Sequence, residues 1–572
     1  MAPRMTLARL VPVLLLCGCG EVGAPALPDG GDDEAAAPTP EVRSRPGYVY
    51  GDAPPVLTHH NDLARTGAHA RETVLGPATL GSGRFGLAFS RQVQGMIYGQ
   101  PLFVPKLEVR GKRRDVVFVA TEHDDAYAFD AEDPTATEPL WHVSFGASIP
   151  STDFDADQGT PYRDILPELG VTSTPVIDPI KKTIYFFAQT KEAGVYFNRL
   201  HALDLATGAE RANSPVEITV SAPGTGEGST SGVVTIPPKF VLQRPALAFT
   251  GGALWIVGGG HGDFGPYHGW VKVLTPDLSS ISTTLLTTPS GWAGGIWQAG
   301  GGPAGDELGA ANTMFVETGN GTYDDQTQPP DLSESFLRVD ATVVCPEGFC
   351  AVTDGPKIAD WFTPHDHEAL DTADLDLGSS GPMILPKTDV LVGGGKSGKL
   401  YVLDRTKLGH RSADDAQILQ SFAATTGELY AGLVTRDAAA GKLVYVAGQG
   451  DAIKAYRFIP SGSTGTFDTK PFAASTWTVP SGTPAPACRS PPAPTRPARA
   501  SSGCSRNPPR TRAAGSPATP PSADDLRELW SSATHPSDAI GRYVKFTVPT
   551  VAGGRVFVPS VDVLRVYALR TP

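Results

Sequence analysis

Two aspartates and a lysine in the second half of the chain have the side chains of a catalytic or ligand-binding site. Asp374 and Asp376 follow an acid- and histidine-rich loop, and Lys396 follows a glycine run between two apolar stretches. A carboxylate can accept a proton, and an ammonium group can stabilise negative charge that develops on an oxygen atom. Because these residues are separated in sequence, only a fold that brings many loops together could make them one site.

Two further loops carry residue types that bind metal ions. They are His261, Asp263 and His268 in HGDFGPYHGW, and His365, Asp366 and His367 in the loop that precedes the aspartates. Imidazole and carboxylate groups are common ligands of divalent metals, but an H-x6-H spacing is not a specific metal signature. Both sets are therefore compatible with two roles: they bind a metal ion, or they make polar contacts that hold a loop in place. A metal-dependent hydrolase built on these loops is one function that they allow.

The composition is that of a large, acidic chain rich in turn residues. The 572 residues include 64 glycines and 53 prolines, and the formal net charge is -13. Such a chain lacks the basic face that neutralises phosphate groups, so we expect no nucleic-acid partner. The acidity is explained by solubility instead.

The elements that would position these residues are short strands between turns. Runs such as DVVFVATEHDDAYAFD (115–130), ALWIVGGG (253–260) and KLVYVAGQG (442–450) combine Val, Ile, Tyr and Phe with Gly, Pro and Asp turns. This pattern predicts an all-β protein. The glycine runs at 258–260 and 393–395 lack a following GK[ST], so they favour close approach of backbones over phosphate binding.

One phrase recurs along the chain: a strand ends in Asp, a turn follows and the chain returns. It is found in DAYAFDAEDPTATEPLWHVSF (125–145), LHALDLATGAER (200–211) and KLYVLDRTKLGHR (399–411). The phrase resembles the repeat of β-propellers of the pyrroloquinoline quinone (PQQ) type. The length then predicts a single closed propeller of seven or eight four-stranded blades, and the resemblance to quinoproteins favours eight. The last strand, VLRVYAL (563–569), is expected to pair with N-terminal strands and close the ring.

The resemblance also includes Asp374, Asp376 and Lys396. TPHDHEALDTADLDLGSSGPMIL and KSGKLYVLDR are similar to the catalytic stretch of quinoprotein alcohol dehydrogenases. It implies that Asp374 is a catalytic base with Asp376 beside it, and that Lys396 polarises a quinone carbonyl. Asn320, in TGNGTYD, and Asp374 would bind Ca²⁺, whose preferred ligands are oxygens. Trp297 is available as an aromatic platform, but the adjacent-cysteine disulfide of those enzymes is absent.

The N-terminus predicts export and lipidation. Arg4 and Arg9 lie on the N-terminal side of an apolar core, Leu10 to Leu16. This core is too short to span a bilayer. The core ends in a sequence that resembles a bacterial lipoprotein signal, so residues 1–19 are expected to be the signal with lipid on Cys19. Gly20 follows, which favours the outer membrane of the cell envelope. Residues 20–50 then predict a disordered tether before a propeller at 51–572.

Export would place the remaining cysteines in an oxidising compartment. Cys345 and Cys350, in CPEGFC, are predicted to form a small-loop disulfide, with a metal site as the poorer alternative. Residues 483–523 hold two more of the 6 cysteines and contain no predicted strand. They are either a disordered insert or the product of compensating frameshifts, because ARASSGCS (498–505) is compatible with a strand-like sequence in a shifted frame.

The sequence supports two further hypotheses of function besides the hydrolase. Several phrases, among them HNDLARTG (60–67) and GGIWQAGGG (294–302), resemble a bacterial envelope family with PQQ-like repeats. The favoured hypothesis is therefore a lipid-anchored binding scaffold whose partner is a protein, a glycan or a small molecule. The alternative is a PQQ- and Ca²⁺-dependent periplasmic dehydrogenase of an alcohol or sugar.

Overall fold

Strands form nearly all of the regular structure in the computed structural model, which describes residues 14–16, 43–45, 47–69, 71–159, 161–306, 312–345, 350–479, 501–503 and 526–572. The prediction of an all-β chain is confirmed. The α-helices of these residues are single turns or little more: Pro77–Leu80, Asp155–Gln158 and His367–Thr372. None of the described helices is long and apolar enough to cross a membrane.

The described strands form seven sheets of four or more strands that follow one another along the chain. Sheet 1 comprises Leu102–Val109, Lys112–Ala120, Asp125–Asp130 and Trp141–Ser144. Sheet 2 comprises Val176–Asp178, Thr183–Glu192, Val195–Asp204 and Val216–Glu217. Sheet 3 comprises Val241–Leu242, Ala248–Thr250, Ala253–Gly260, Trp270–Leu274 and Leu285–Leu286. Sheet 4 comprises Ala304–Gly305, Thr313–Glu317, Phe336–Val344 and Ala351–Phe362.

The remaining sheets use the second half of the chain. Sheet 5 comprises Met383–Ile384, Val390–Gly393, Lys399–Asp404 and Gln420–Ala423. Sheet 6 comprises Val434–Ala438, Gly441–Val446, Ala452–Ser461, Thr464–Phe467 and Ala473–Thr478. Sheet 7 comprises Arg43–Arg45, Tyr48–Tyr50, Phe85–Met96, Thr550–Ala552, Arg555–Pro559 and Val561–Arg570. All the strand pairs within these sheets are antiparallel, which is the internal arrangement of a propeller blade.

Minor elements lie between the sheets. The short strands are Val220–Pro223, Ser229–Thr230 and Val233–Ile236 in one sheet, and the pairs Ile149–Pro150 with Glu168–Leu169, Tyr323–Asp324 with Asp331–Leu332, and Leu14–Leu16 with Ser501–Gly503. The 3-10 turns are Ser151–Phe154, Pro238–Phe240, Gln298–Gly300, Leu377–Ser379, Ser532–Thr534 and Pro536–Asp538. Apart from the strand at 501–503, the expected insert at 483–523 lies outside the described residues, as does Cys19.

Sheet 7 joins the two ends of the chain. Phe85–Met96 pairs antiparallel with Val561–Arg570, with Phe85 opposite Leu569 and Met96 opposite Val561. The expected pairing of the last strand with an N-terminal strand is therefore confirmed. The closed ring and its number of blades stay predictions.

Consecutive sheets pack face to face through buried apolar side chains. One cluster joins sheets 7, 1 and 2, and others join sheets 2 and 3, 3 and 4, 4 and 5, and 5 and 6. Side chains alternate between the two faces of a strand, so one strand can serve two neighbours. In sheet 3, Leu254 and Ile256 pack toward sheet 2, whereas Trp255 and Val257 pack toward sheet 4. This packing directs the loops at one end of the sheets toward a shared site.

The two cysteines of CPEGFC are joined by a disulfide bond between Cys345 and Cys350. They lie at the far end of the hairpin formed by Phe336–Val344 and Ala351–Phe362 in sheet 4. The bond therefore closes the tip of one hairpin within sheet 4 and does not connect one sheet to another.

Candidate functional site

Loops from distant parts of the chain enclose a cavity of about 520 Å³. Its wall includes Asp164, Arg244, Trp297, Lys396 and Phe546, which span most of the described sequence. Apolar surface from aromatic residues meets several charged groups there. A cavity of this size and character suits a small-molecule ligand.

Asp374, Asp376 and Lys396 form one ion-pair cluster at this cavity. The Lys396 ammonium lies 2.7 Å from Asp374 Oδ1 and 2.5 Å from Asp376 Oδ2. The Asp374 side chain is 70% exposed and lies outside the cavity wall, whereas that of Asp376 is 9% exposed and is part of it. Burial raises the pKa of Asp376, although Lys396 opposes the rise. Burial would lower the pKa of Lys396, but the two aspartates outweigh it and raise that pKa.

Asn320 belongs to the same cluster. Its backbone N–H donates to Asp376 Oδ1 at 2.9 Å, and its Nδ2 donates to Asp374 Oδ1 at 3.0 Å. Its side-chain oxygen is buried and has no hydrogen-bond partner among the described residues. A buried oxygen without a partner is costly, so it marks a place for a water molecule or a cation.

Glu334 lies behind this cluster and was not identified from the sequence. It is 0% exposed, its Oε2 accepts the Leu377 N–H at 2.7 Å, and its Oε1 has no partner among the described residues. Burial and the nearby Asp376 raise the pKa of Glu334 to about 9. The side chain is therefore protonated at neutral pH. The sequence SES around it contains no pattern that signals burial.

Trp297 forms an aromatic wall of the cavity. Its indole N–H donates to the Gly260 carbonyl at 3.0 Å, which fixes the orientation of the ring. A Cβ atom at Gly319 would lie 2.7 Å from this ring and 2.5 Å from Asp376 Oδ1. Likewise, a Cβ at Gly395 would lie 2.0 Å from the Asp376 carbonyl. The predicted reason for the glycine run at 393–395, close approach of backbones, is confirmed.

Arg244 is a buried cation that the sequence did not reveal. It is 4% exposed, and its guanidinium lies 5.4 Å from the Tyr98 ring centre and 5.1 Å from that of Phe546. Nη1 donates to the Thr172 carbonyl at 2.8 Å, but Nε and Nη2 have no partner among the described residues. Burial lowers the pKa of Arg244 to about 10, so it keeps its charge at neutral pH. Both nitrogen atoms are themselves buried, so the guanidinium acts on the cavity that it lines through its charge, which favours an anion.

The loop HGDFGPYHGW contributes one residue to the cavity, Asp263. Its carboxylate accepts the Tyr267 hydroxyl at 2.6 Å. His261 Nε2 donates to the Val241 carbonyl and Nδ1 faces the Tyr162 hydroxyl, each at 3.2 Å, and burial lowers the pKa of His261 to about 4. His268 bonds Thr288 Oγ1 at 2.8 Å and the Glu227 carbonyl at 2.9 Å. Both imidazoles therefore act as polar struts, and neither joins Asp263 in a metal site.

The second histidine-rich loop separates its three candidates. His365 Nδ1 lies 2.8 Å from Asp415 Oδ2, and Asp366 Oδ2 lies 2.6 Å from Lys399. His367 turns away, because it begins a helix, and its ring packs against that of Tyr323 in a tilted arrangement, with the ring centres 4.4 Å apart. The expected set of three neighbours is thus replaced by His365, Asp366 and Asp415, whose ligand atoms all lie within 4.8 Å. Asp415 is far away in sequence, so no local pattern could include it.

Comparisons with known proteins give similar folds at low sequence identity. No family model matches the chain, and no curated protein sequence does. Solved structures of two quinohemoprotein alcohol dehydrogenases and a methanol dehydrogenase are similar to it. Quinohemoprotein alcohol dehydrogenase ADHIIG from Pseudomonas putida HK5 is 16% identical, with a TM-score of 0.44, over 72% of this chain and 59% of that one.

Two other such structures are similar. The quinohemoprotein alcohol dehydrogenase from Comamonas testosteroni is 15% identical, with a TM-score of 0.38, over 71% of this chain and 59% of its own. A europium-containing methanol dehydrogenase is 12% identical, with a TM-score of 0.44, over 73% and 72% of the two chains. The chain thus spans less than two thirds of the length of the two quinohemoproteins. What it does must be inferred from its own cavity.

Proposed function

We propose that the cavity binds a planar, carboxylated small molecule of the PQQ class together with a divalent cation, and that the chain oxidises a small alcohol or sugar. One observation carries the proposal: the positively charged Arg244 shares a cavity of about 520 Å³ with the Trp297 ring and the Asp376–Lys396 pair. A flat anionic ligand would stack on the ring and pair with the cations. This volume lies within the usual range for small-molecule sites.

The residues present fit both parts of such a ligand. Arg244 can attract a carboxylate through its charge, and Lys396 can contact an electron-rich oxygen. Asp263 and Asp376 on the cavity wall, with the unpartnered oxygen of Asn320 nearby, form an oxygen-rich set that suits Ca²⁺. A quinone supplies redox chemistry when bound, because it accepts two electrons and two protons from an alcohol.

The chain's own contribution is a proton acceptor inside the cavity. Asp376 reaches the cavity and Asp374 does not, so the proposed base is Asp376. Its raised pKa makes it a stronger base than an ordinary aspartate. Asp374 helps to hold Lys396, which remains protonated and can stabilise negative charge on a neighbouring oxygen.

A second candidate is a binding protein without catalysis. The observation in its favour is that Asp374 and Asp376 are both already paired with Lys396. A cluster paired in this way can recognise a ligand without taking a proton from it. The partner would then be a small molecule in the cavity, with a protein or a glycan as further possibilities at the rim.

Binding and turnover can be tested separately on the full chain. We expect one equivalent of PQQ to bind in the presence of Ca²⁺, by isothermal titration calorimetry, and a dye-linked assay to detect oxidation of an alcohol or sugar. Trp297→Ala should weaken binding by about tenfold or more, since stacking on the ring is lost. Trp292→Ala is the matched control, because Trp292 is 43% exposed and does not line the cavity. Binding without turnover would support the second candidate, and no binding of PQQ would exclude the first.

We further propose that the chain works in the bacterial cell envelope, anchored at the outer membrane by lipid on Cys19. The sequence of residues 1–19 supports the signal, and that of residues 20–50 supports a tether to the propeller at 51–572. Incorporation of labelled palmitate, lost in Cys19→Ser, tests this. A protein that is exported and soluble without label would contradict the anchor.

An eight-bladed ring completes the proposed architecture. The packing of each sheet on the next and the joining of the chain ends in sheet 7 support a ring. The eighth blade would come from the segment around 483–523, between sheet 6 and the last strands. Resequencing the gene tests the frameshift interpretation, which stop codons in the shifted frame would exclude.

A further inference from the structure

A second polar cluster lies outside the cavity, where the strand Ala351–Phe362 of sheet 4 ends. His365 accounts for two contacts with Asp415: its backbone N–H donates to Oδ1 at 2.8 Å, and its Nδ1 lies 2.8 Å from Oδ2. Asp366 follows directly, and one ligand atom from each of the three residues lies within 4.8 Å of the others. Small side-chain rotations are enough to bring atoms at such distances onto one metal ion at the usual bond lengths of about 2.0–2.3 Å.

Two buried oxygen atoms near this cluster have no partner among the described residues. One is Asp366 Oδ1, whose other oxygen bonds Lys399 at 2.6 Å. The other is the hydroxyl of Tyr401, a residue that is 0% exposed. Tyr401 shares a strand face with Lys399, two residues earlier, which directs it toward the same cluster.

We propose that His365, Asp366 and Asp415 bind a divalent metal ion of the Mn²⁺ or Zn²⁺ type, with the Tyr401 hydroxyl beside it. One imidazole nitrogen and several oxygens form a mixed ligand set that these ions accept. The ion would satisfy the unpartnered oxygen of Asp366 and would balance the two carboxylates, of which Lys399 neutralises only one. The hydrogen-bonded pair of His365 and Asp415 holds two ligands in place before the ion arrives.

Such an ion would tie three segments together. Asp366 precedes the helix His367–Thr372, which leads to Asp374 and Asp376, while Asp415 comes from a separate loop. Lys399 and Tyr401 belong to sheet 5. The ion would therefore fix the start of the loop that presents the cavity aspartates, and its role would be structural. It does not depend on what the cavity binds.

The test uses Mn²⁺ as the probe on the full chain after treatment with a chelator. We expect Mn²⁺ to bind with nitrogen hyperfine coupling in pulsed electron paramagnetic resonance, because His365 supplies an imidazole nitrogen. Oxygen ligands in the cavity would give no such coupling, so the two sites are distinguishable. His365→Gln should abolish the coupling while circular dichroism stays unchanged. Absence of coupling in the wild-type protein, or its persistence in H365Q, would overturn the proposal.

A second pair of variants tests the metal site independently, so that a folding defect in H365Q would not decide the result. Asp366→Asn should weaken the nitrogen-coupled Mn²⁺ site by about tenfold or more, since it removes a charged ligand. Asp414→Asn is the matched control, because this exposed neighbour of Asp415 accepts, within the described part of the chain, only the backbone N–H of Ala416. Equal affinity of D366N and D414N would contradict the assignment.

Discussion

Lys396 Nζ lies 2.5 Å from Asp376 Oδ2, and this pair joins a loop that follows sheet 4 to the turn that enters the strand Lys399–Asp404. The Lys396 backbone N–H also donates to the Asp376 carbonyl at 3.0 Å. The two residues are thus held by both main chain and side chains. Because both are largely buried, the pair contributes to stability as well as to the properties of the cavity.

Replacing Lys396 by methionine tests how much this ion pair contributes to stability. Lys396→Met leaves the buried Asp376 without its cation, so we expect the free energy of unfolding at pH 8 to fall by about 3 kcal/mol. The loss should be smaller at pH 5, because a carboxylate without its cation accepts a proton more readily and then carries no charge. Urea unfolding at the two pH values measures both effects.

Lys442→Met is the control for this prediction. Lys442 pairs at 2.6 Å with Asp437, whose side chain is 69% exposed. A pair with so exposed a partner contributes only about 0–1 kcal/mol. An equal loss in K396M and K442M would show that the Lys396 pair is not effectively buried.

Arg244 offers a test in which stability and binding change in opposite directions. An unpaired buried charge is destabilising, so Arg244→Met should leave the melting temperature of the free protein unchanged or raise it. The same variant should bind a carboxylated ligand at least about tenfold more weakly, because a charged hydrogen bond contributes about 1.5–3 kcal/mol. Differential scanning fluorimetry and calorimetric titration measure the two outcomes.

Arg555→Met provides the contrast. Arg555 is 0% exposed, and its Nη2 lies 2.7 Å from Asp115. Removing this paired cation leaves a buried carboxylate unpaired, which should cost about 3–5 kcal/mol. If R244M is destabilised as strongly as R555M, then Arg244 has a partner that stabilises it and the anion site is wrong.

The sequence was informative where local patterns or a long resemblance decide the outcome. Runs of Val, Ile, Tyr and Phe between turn residues predicted the strands, and the shared phrase around Asp376 and Lys396 identified residues that do converge with Asn320. Arg244 and Glu334 were missed, because their burial and their lack of partners depend on which segments pack around them. His367 was grouped with His365 and Asp366, but successive side chains at the start of a helix point in different directions.

Glu122 should make stability depend on pH. It is 0% exposed, and burial raises its pKa to about 8 from an unfolded value of 4.5. Between these two values the folded state keeps a proton that the unfolded chain releases, so stability falls as pH rises. The slope is at most about 1.4 kcal/mol per pH unit for one such group.

Glu122→Gln should flatten this dependence. A neutral amide fits the same space and can still accept the Met96 N–H that Glu122 Oε2 accepts now. The free energy of unfolding, measured by urea at pH 5, 6.5 and 8, should therefore decline less steeply than in the wild type. Glu138→Gln, at an exposed position, should leave the slope as it is. A slope in E122Q equal to that of the wild type would mean that Glu122 is ionised in the folded protein.

Gly319 tests whether the close packing of Trp297 and Asp376 shapes the cavity. A methyl group there would lie 2.5 Å from Asp376 Oδ1 and 2.7 Å from the Trp297 ring, so one of them must move. Gly319→Ala should therefore lower the free energy of unfolding by about 1–3 kcal/mol and should also weaken ligand binding. Gly76→Ala is the control, because a Cβ at Gly76 would have no neighbour within 4 Å. Full binding by G319A would show that the cavity does not depend on the positions of the ring and the carboxylate, and would remove them from the proposed site.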